Sequence, residues 1–152
     1  CVTGVQTCAL PISVQVPQPR PATEAIDLAS FFISNGATVP GLLHLAIREG
    51  VPTGTILVGY QRIDFGTGVT RFVAQCNSWV KSKDTAQKIE VRIDKPDGPL
   101  LGSFYSPPAN GPTDVVMPVD QQVSGVHDLY LVLVPAAPYG AYWVDFKEFR
   151  FE

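Results

Sequence analysis

Histidine, clustered basic residues and long apolar runs are all scarce in this chain. The formal net charge is -3 and no run of Lys or Arg stands out. A mildly acidic chain without a basic patch lacks the footprint of a nucleic-acid binder or of a protein drawn to anionic lipid, so neither partner is expected. No apolar stretch approaches the ~18 residues that a spanning helix requires. The three cysteines are Cys1, Cys8 and Cys76, and the Cys1–Cys8 spacing fits neither a metal knuckle nor a C-x-x-C redox pair. The two histidines, His44 and His127, form no cluster with zinc spacing. Neither a Ser-His-Asp nor a Cys-His pairing can be built from them.

Helical periodicity is scarce as well. Only LLHLAIREG, from Leu42 to Gly50, could make a helical turn or two, and its Leu43, Leu45 and Ile47 also fit a strand. Elsewhere the apolar period is two. KIEVRID sets Ile89, Val91 and Ile93 on one face against Lys88, Glu90, Arg92 and Asp94 on the other, the pattern of a half-buried antiparallel strand. VTRFVAQC and TILVGYQRIDF are equally β-rich, and DLYLVLV is apolar enough for a central strand. Tyr60, Phe72 and Tyr130 lie in such strands and are assigned to the core. KPDGPLLG and DFGTG supply turn chemistry between strands, and the 14 prolines and 13 glycines suit many short strands joined by turns. The last strand shifts phase: Tyr142, Val144 and Phe146 alternate inward, then Phe149 and Phe151 resume on the opposite parity. A bulge near Lys147-Glu148 would return both sets to one face. The expected fold is all-β, an antiparallel β-sandwich.

The first residues stand apart. CVTGVQTCALPIS carries no charge, and Thr3, Gly4, Gln6, Thr7 and Pro11 interrupt the apolar core that a signal peptide needs. VTGVQTCALPIS resembles the translation of an adapter from a short-read sequencing library. Residues 1–13 are therefore set aside as non-native, and the genuine protein is expected to begin near Val14 with its upstream part missing. VQVPQPRPA, residues 14–22, reads as a proline-rich linker. Residues 23–152 remain as one domain, long enough to bury a single substantial core.

Four stretches together carry a family likeness. VGYQRIDFGTGVTRFVAQ, KIEVRIDKPDGPLLGSF, VSGVHDLYLVLV and WVDFKEFRF resemble, in order and spacing, family 6 carbohydrate-binding modules. The resemblance covers about Glu24 to Phe151 and implies a jelly-roll sandwich that binds polysaccharide or oligosaccharide and performs no chemistry. It also implies a secreted (extracellular or periplasmic) location, a monomer, and an attached glycoside hydrolase or related enzyme missing from this chain. The family's structural Ca²⁺ would lie between the first and last strands. Asp145 occupies the closing ligand position, and EAID in place of the usual Glu-Ala-Glu leaves Glu24 or Asp27 as opening ligands. The alternative is that Glu24 and Asp27 are solvated acids and Asp145 caps local backbone. The family's cleft holds a sugar between a tyrosine and a tryptophan beside an asparagine. Here those positions read REGVPTG near Val51, PPANGPTD with Pro112, and Trp143.

Sugar recognition needs a flat ring beneath C–H groups and planar polar groups around hydroxyls. With the usual three contacts replaced, Trp143 is the expected stacking surface, bordered by Tyr139 and Asn110, with Trp79 in the polar insertion NSWVKSKDTAQ as a further ring. Burial of Trp143 in a second sheet layer is the competing placement. Tyr105 and Tyr142 are the other rings on offer. His127, in GVHDLYLV, is assigned a structural hydrogen bond. Asp114, Asp120 and Asp128 could in principle supply the two carboxylates of glycoside hydrolysis, but acids are commonplace in turns and at strand ends. The rival functional reading is an adhesion or protein-interaction sandwich without sugar binding, which predicts an exposed apolar patch on a sheet face.

Overall fold

Alternating apolar residues make each strand two-faced, and the strands bury their apolar faces by packing two sheets together. The structure, a computed structural model, describes residues 16–27, 30–34, 43–47, 56–78, 88–107, 111–134 and 142–152. At 33–34, 43–47, 56, 77–78 and 142–145 the description is of the backbone. One sheet contains β1 (Arg20–Pro21), β3 (Ile33–Ser34), β5 (Ile56–Asp64), β7 (Lys88–Ile93), β8 (Leu100–Tyr105) and β10 (Val126–Val134). The other contains β2 (Ile26–Asp27), β4 (Leu43–Ile47), β6 (Arg71–Ser78), β9 (Pro112–Pro118) and β11 (Tyr142–Phe151). Among the described residues every pairing is antiparallel apart from the short parallel β1–β5 pair.

The central position of DLYLVLV follows from its composition: β10 lies between β5 and β7, where both edges of the strand are paired. LLHLAIREG resolves as a strand, with β4 pairing antiparallel to β11 from Leu43 opposite Phe146 to Ile47 opposite Tyr142. The expected bulge is present, since the β11–β6 register shifts between Phe146 and Glu148. As a result Phe146, Phe149 and Phe151 are all at most 1% exposed. Phe72 stacks on Phe149 and Phe104 at 5.6 Å each and meets Phe151 edge-on at 5.1 Å. Tyr60 and Phe65 from the other sheet touch Phe149 and Phe151 edge-on at 5.0 and 4.9 Å, so rings from both layers interlock.

Two sequence expectations change. The linker was expected to run to Ala22, but Arg20 and Pro21 pair with Ile63 and Asp64. Ala22 is fully buried, donating its N–H to Asp64 O and accepting from Phe151 N–H. The sandwich therefore begins at Arg20, because this short stretch covers the end of β5. Tyr130 is buried, but on the outer side of its sheet: Leu129, Leu131 and Leu133 take the inward parity, and Tyr130 packs edge-on against Phe32.

The end of the sandwich where β5 stops is tied by short turns. Gly66 and Gly68 adopt φ of +57° and +137°, backbone that side chains rarely tolerate, and Gly66 O accepts from Gly125 N–H at 3.0 Å. Nearby, His127 Nδ1 lies 2.8 Å from Asp94 Oδ1 and Nε2 lies 3.0 Å from Ser124 O. Both partners are acceptors, so the doubly protonated ring satisfies both at once. Partial burial opposes that charge. The Asp94 hydrogen bond, the Ser124 carbonyl and the Asp94 charge outweigh it and raise the His127 pKa above its ordinary value.

Two expectations follow from this packing. Phe72→Ala should cost about 3–5 kcal/mol in urea unfolding, because it removes the ring that three other phenylalanines share; a loss below about 1 kcal/mol would show that the core does not depend on it. For His127, a raised folded pKa means stability that is complete below the unfolded value and lost as pH rises through the folded one. The melting temperature gap between the wild type and His127→Gln should therefore be wider near about pH 5.5 than near about pH 8.5. An equal gap at both values would remove the imidazolium from the account.

Candidate functional site

Antiparallel order sends four connections out of one end of the sandwich. There β4 ends opposite the start of β11 (Ile47 with Tyr142), and β6 ends with Ser78 opposite Val144. Asn77 is paired with Pro112, the first residue of β9. In the other sheet Lys88 pairs with both Val134 and Tyr105, and Ile56 with Leu133. The connections 48–55, 79–87, 106–111 and 135–141 all leave from these strand ends. By chain position Trp79, Asn110 and Tyr139 belong to three of them, and Trp143 is the second residue of β11, paired with Ala46. The topology thus gathers the strand ends that carry all four sequence-predicted sugar contacts. Trp79, Asn110 and Tyr139 themselves lie outside the described residues, as does the side chain of Trp143. Tyr105 ends β8 at the same rim and is 61% exposed, a described ring open to solvent there.

Several of the described ionisable groups are committed to structure. On the outer face of β7, Glu90 bonds Lys88 Nζ at 3.0 Å and Arg92 Nη2 at 2.7 Å, while Arg92 Nη1 donates to Gly98 O. Burial alone would raise the Glu90 pKa, but the two cations pull it below the usual carboxylate range, so Glu90 is a poor proton donor near neutrality. Cys76 is buried and its thiol is pushed up to about 12, chiefly by burial and further by the Asp114 charge, which makes it inert. Asp128 accepts the Arg62 N–H at 2.9 Å, across a bulge where Arg62 takes φ of +54°. Asp114 is exposed on β9 in the opposite sheet and Asp120 lies in the loop after it. These three acids do not face one another as a catalytic pair.

For calcium, β2 sets Asp27 opposite Glu148, three positions beyond Asp145 on β11. Glu24 and Asp27 are both exposed. Among the described residues no three His, Cys, Asp or Glu side chains converge as a cation site, and the Asp145 side chain is outside them. Glu24 and Asp27 therefore do not by themselves supply the several oxygens that Ca²⁺ requires.

A described cleft of about 410 Å³ lies at the opposite end, between 67–70 and 119–122. Of its lining, the sequence singles out only Asp120, as a possible acid.

Comparison with known proteins agrees with this architecture. The model of carbohydrate binding module family 6 matches residues 43–152. Endo-1,4-beta-xylanase A of Thermoclostridium stercorarium is 32% identical over 127 residues, which cover 80% of this chain and 24% of that protein. The chain thus spans about a quarter of that relative. A module from Clostridium stercorarium solved in complex with cellobiose aligns with a TM-score of 0.64 and 27% identity, covering 90% of this chain and 98% of the other. A family 6 module from Clostridium cellulolyticum in complex with xylose aligns at 0.65 with 24% identity, over 88% and 99% of the two chains, and speaks to the fold. With its sandwich and a family match over most of its length, the chain belongs to carbohydrate binding module family 6, and it is a non-catalytic carbohydrate-binding module.

Proposed function

We propose that this module holds a β-linked polysaccharide at the loop-rich end of the sandwich and thereby keeps an attached secreted glycoside hydrolase near its substrate. The observation that carries the reading is the convergence of the strand ends bearing Trp79, Asn110, Tyr139 and Trp143 at one rim. Xylan is the first polymer to test, because a relative is a xylanase and structural neighbours were solved with cellobiose and xylose. Tethering would act by raising the effective concentration of the enzyme on its polymer. The module works as a monomer in this reading.

Trp143 is proposed as the stacking surface, standing where the family places its sugar-contacting asparagine, with Tyr139 and Asn110 beside it. An indole there fills space that an asparagine leaves open and makes a flatter platform, which grips by ring contact more than by hydrogen bonds. Affinity of such a platform is on the order of micromolar to millimolar, about 4–8 kcal/mol. Trp143→Ala should remove most binding to soluble xylan in affinity electrophoresis while leaving the melt intact, and Trp79→Ala should weaken it less. Normal retention of the Trp143→Ala variant would overturn the assignment.

A structural Ca²⁺ held by Asp145 with Glu24 or Asp27 is the finer part of the proposal, supported by the edge that β2 and β11 share. A cation bound only by the folded state stabilises by mass action. Chelator should then lower the melting temperature, added Ca²⁺ should restore it, and Asp145→Ala should abolish the response. An unchanged melt in chelator would remove calcium from the protein.

A further inference from the structure

The cleft at the turn-tied end is built from groups that the fold leaves unused. Its backbone is fixed from several directions: Val119 N–H bonds Thr70 O at 2.9 Å, Asp120 N–H bonds Leu101 O at 2.9 Å, and Gly68 N–H bonds Phe65 O at 3.0 Å. The Thr70 N–H donates to Glu152 O, and Gly125 closes onto Gly66. Val69 and Val119 supply apolar surface within it. Around them stand Thr67, Asp120, Gln121 and Gln122, exposed and with no side-chain hydrogen bond or ion pair to the described residues. The Thr70 hydroxyl donates to Glu152 O at 3.2 Å and keeps its lone pairs for an incoming donor.

The chemistry of this lining selects a ligand class. Among the described residues no Lys, Arg or His lines the cleft, so an anion such as phosphate or a uronate has no partner among them. One carboxylate is too few for a hard dication. Among the described residues no aromatic ring lines it, so an aromatic ligand gains no stacking from them. What remains is a set of two amides, two hydroxyls and a carboxylate, which both donates and accepts within a small volume. A vicinal diol also donates and accepts at each oxygen, and a carboxylate can take two such hydroxyls at once.

We propose that this cleft is a second saccharide site, taking a single neutral sugar ring through hydrogen bonds from Asp120, Gln121, Gln122, Thr67 and Thr70. It lies at the far end of the sandwich from the proposed Trp143 platform, and does not depend on it. Without a ring to stack on, the site is weak, with a dissociation constant on the order of 1–100 mM. Its value lies in avidity: two weak sites at opposite ends of one rigid sandwich let a module engage two chains of a polysaccharide mesh.

The test is a titration of the full chain, labelled with ¹⁵N, with D-xylose, D-glucose and methyl β-D-xyloside, followed by amide shifts. Saturable shifts at Thr67 to Thr70 and Asp120 to Gln122 are expected with at least one probe. They should persist in Trp143→Ala and weaken about fivefold or more in Asp120→Asn or Gln122→Ala, with unchanged melts for both. Shifts confined to the loop-rich end would overturn the second site and leave the first standing. Shifts confined to this cleft would support it while sinking the Trp143 platform. No saturable shift here up to about 200 mM, or shifts indifferent to Asp120→Asn and Gln122→Ala alike, would also overturn it.

Discussion

One extra residue in the last strand governs how the two sheets meet. Strict alternation along β11 would bury Phe146 and then turn Phe149 and Phe151 toward solvent, because successive side chains point to opposite faces. The bulge between Phe146 and Glu148 lets β11 skip one position against β6, and all three rings reach the core. There they meet Phe72 from neighbouring β6 and Phe104, Tyr60 and Phe65 from the facing layer. The same strand pairs with β2, β4 and β6, so a slip in its register would disturb most of one sheet together with the aromatic contacts to the other.

This packing holds several of the described ionisable groups in place. Glu90 is held charged between two cations, Asp128 anchors a bulge, His127 ties Asp94 to a turn, and Cys76 is buried. Catalysis needs a proton donor and acceptor whose pKa values are set apart and whose atoms converge on a substrate. Binding needs a rigid frame with polar and flat surfaces at its margins. The sandwich supplies the frame, and its two ends differ. One gathers the strand ends that carry four long connections, and the other is drawn together by backbone hydrogen bonds between short turns around a polar cleft.

Period-two patterning, a local property, made the strand inventory legible: the KIEVRI strand, the central DLYLVLV strand and the phase shift before Phe149 all emerge from residue order. Four motifs in register carried the family. Two features of the fold were hidden by the same locality. Proline-rich composition at residues 14–22 reads as a linker, and nothing local reveals that Arg20 and Pro21 cover the end of β5 more than forty positions away. Tyr130 is as apolar in pattern as its neighbours, and its buried place on the outer side, against Phe32, depends on a residue about a hundred positions away.

What the sequence determined by itself was the sandwich and its turns, since both follow from residue type and spacing within a few positions. Tertiary structure alone decided which distant residues meet. His127 finds Asp94 across 33 positions, and Thr67 to Thr70 face Asp120 to Gln122 through loops that share no motif. Such meetings depend on strand register, which is fixed by the burial of every apolar face at once and so cannot be read from any one segment.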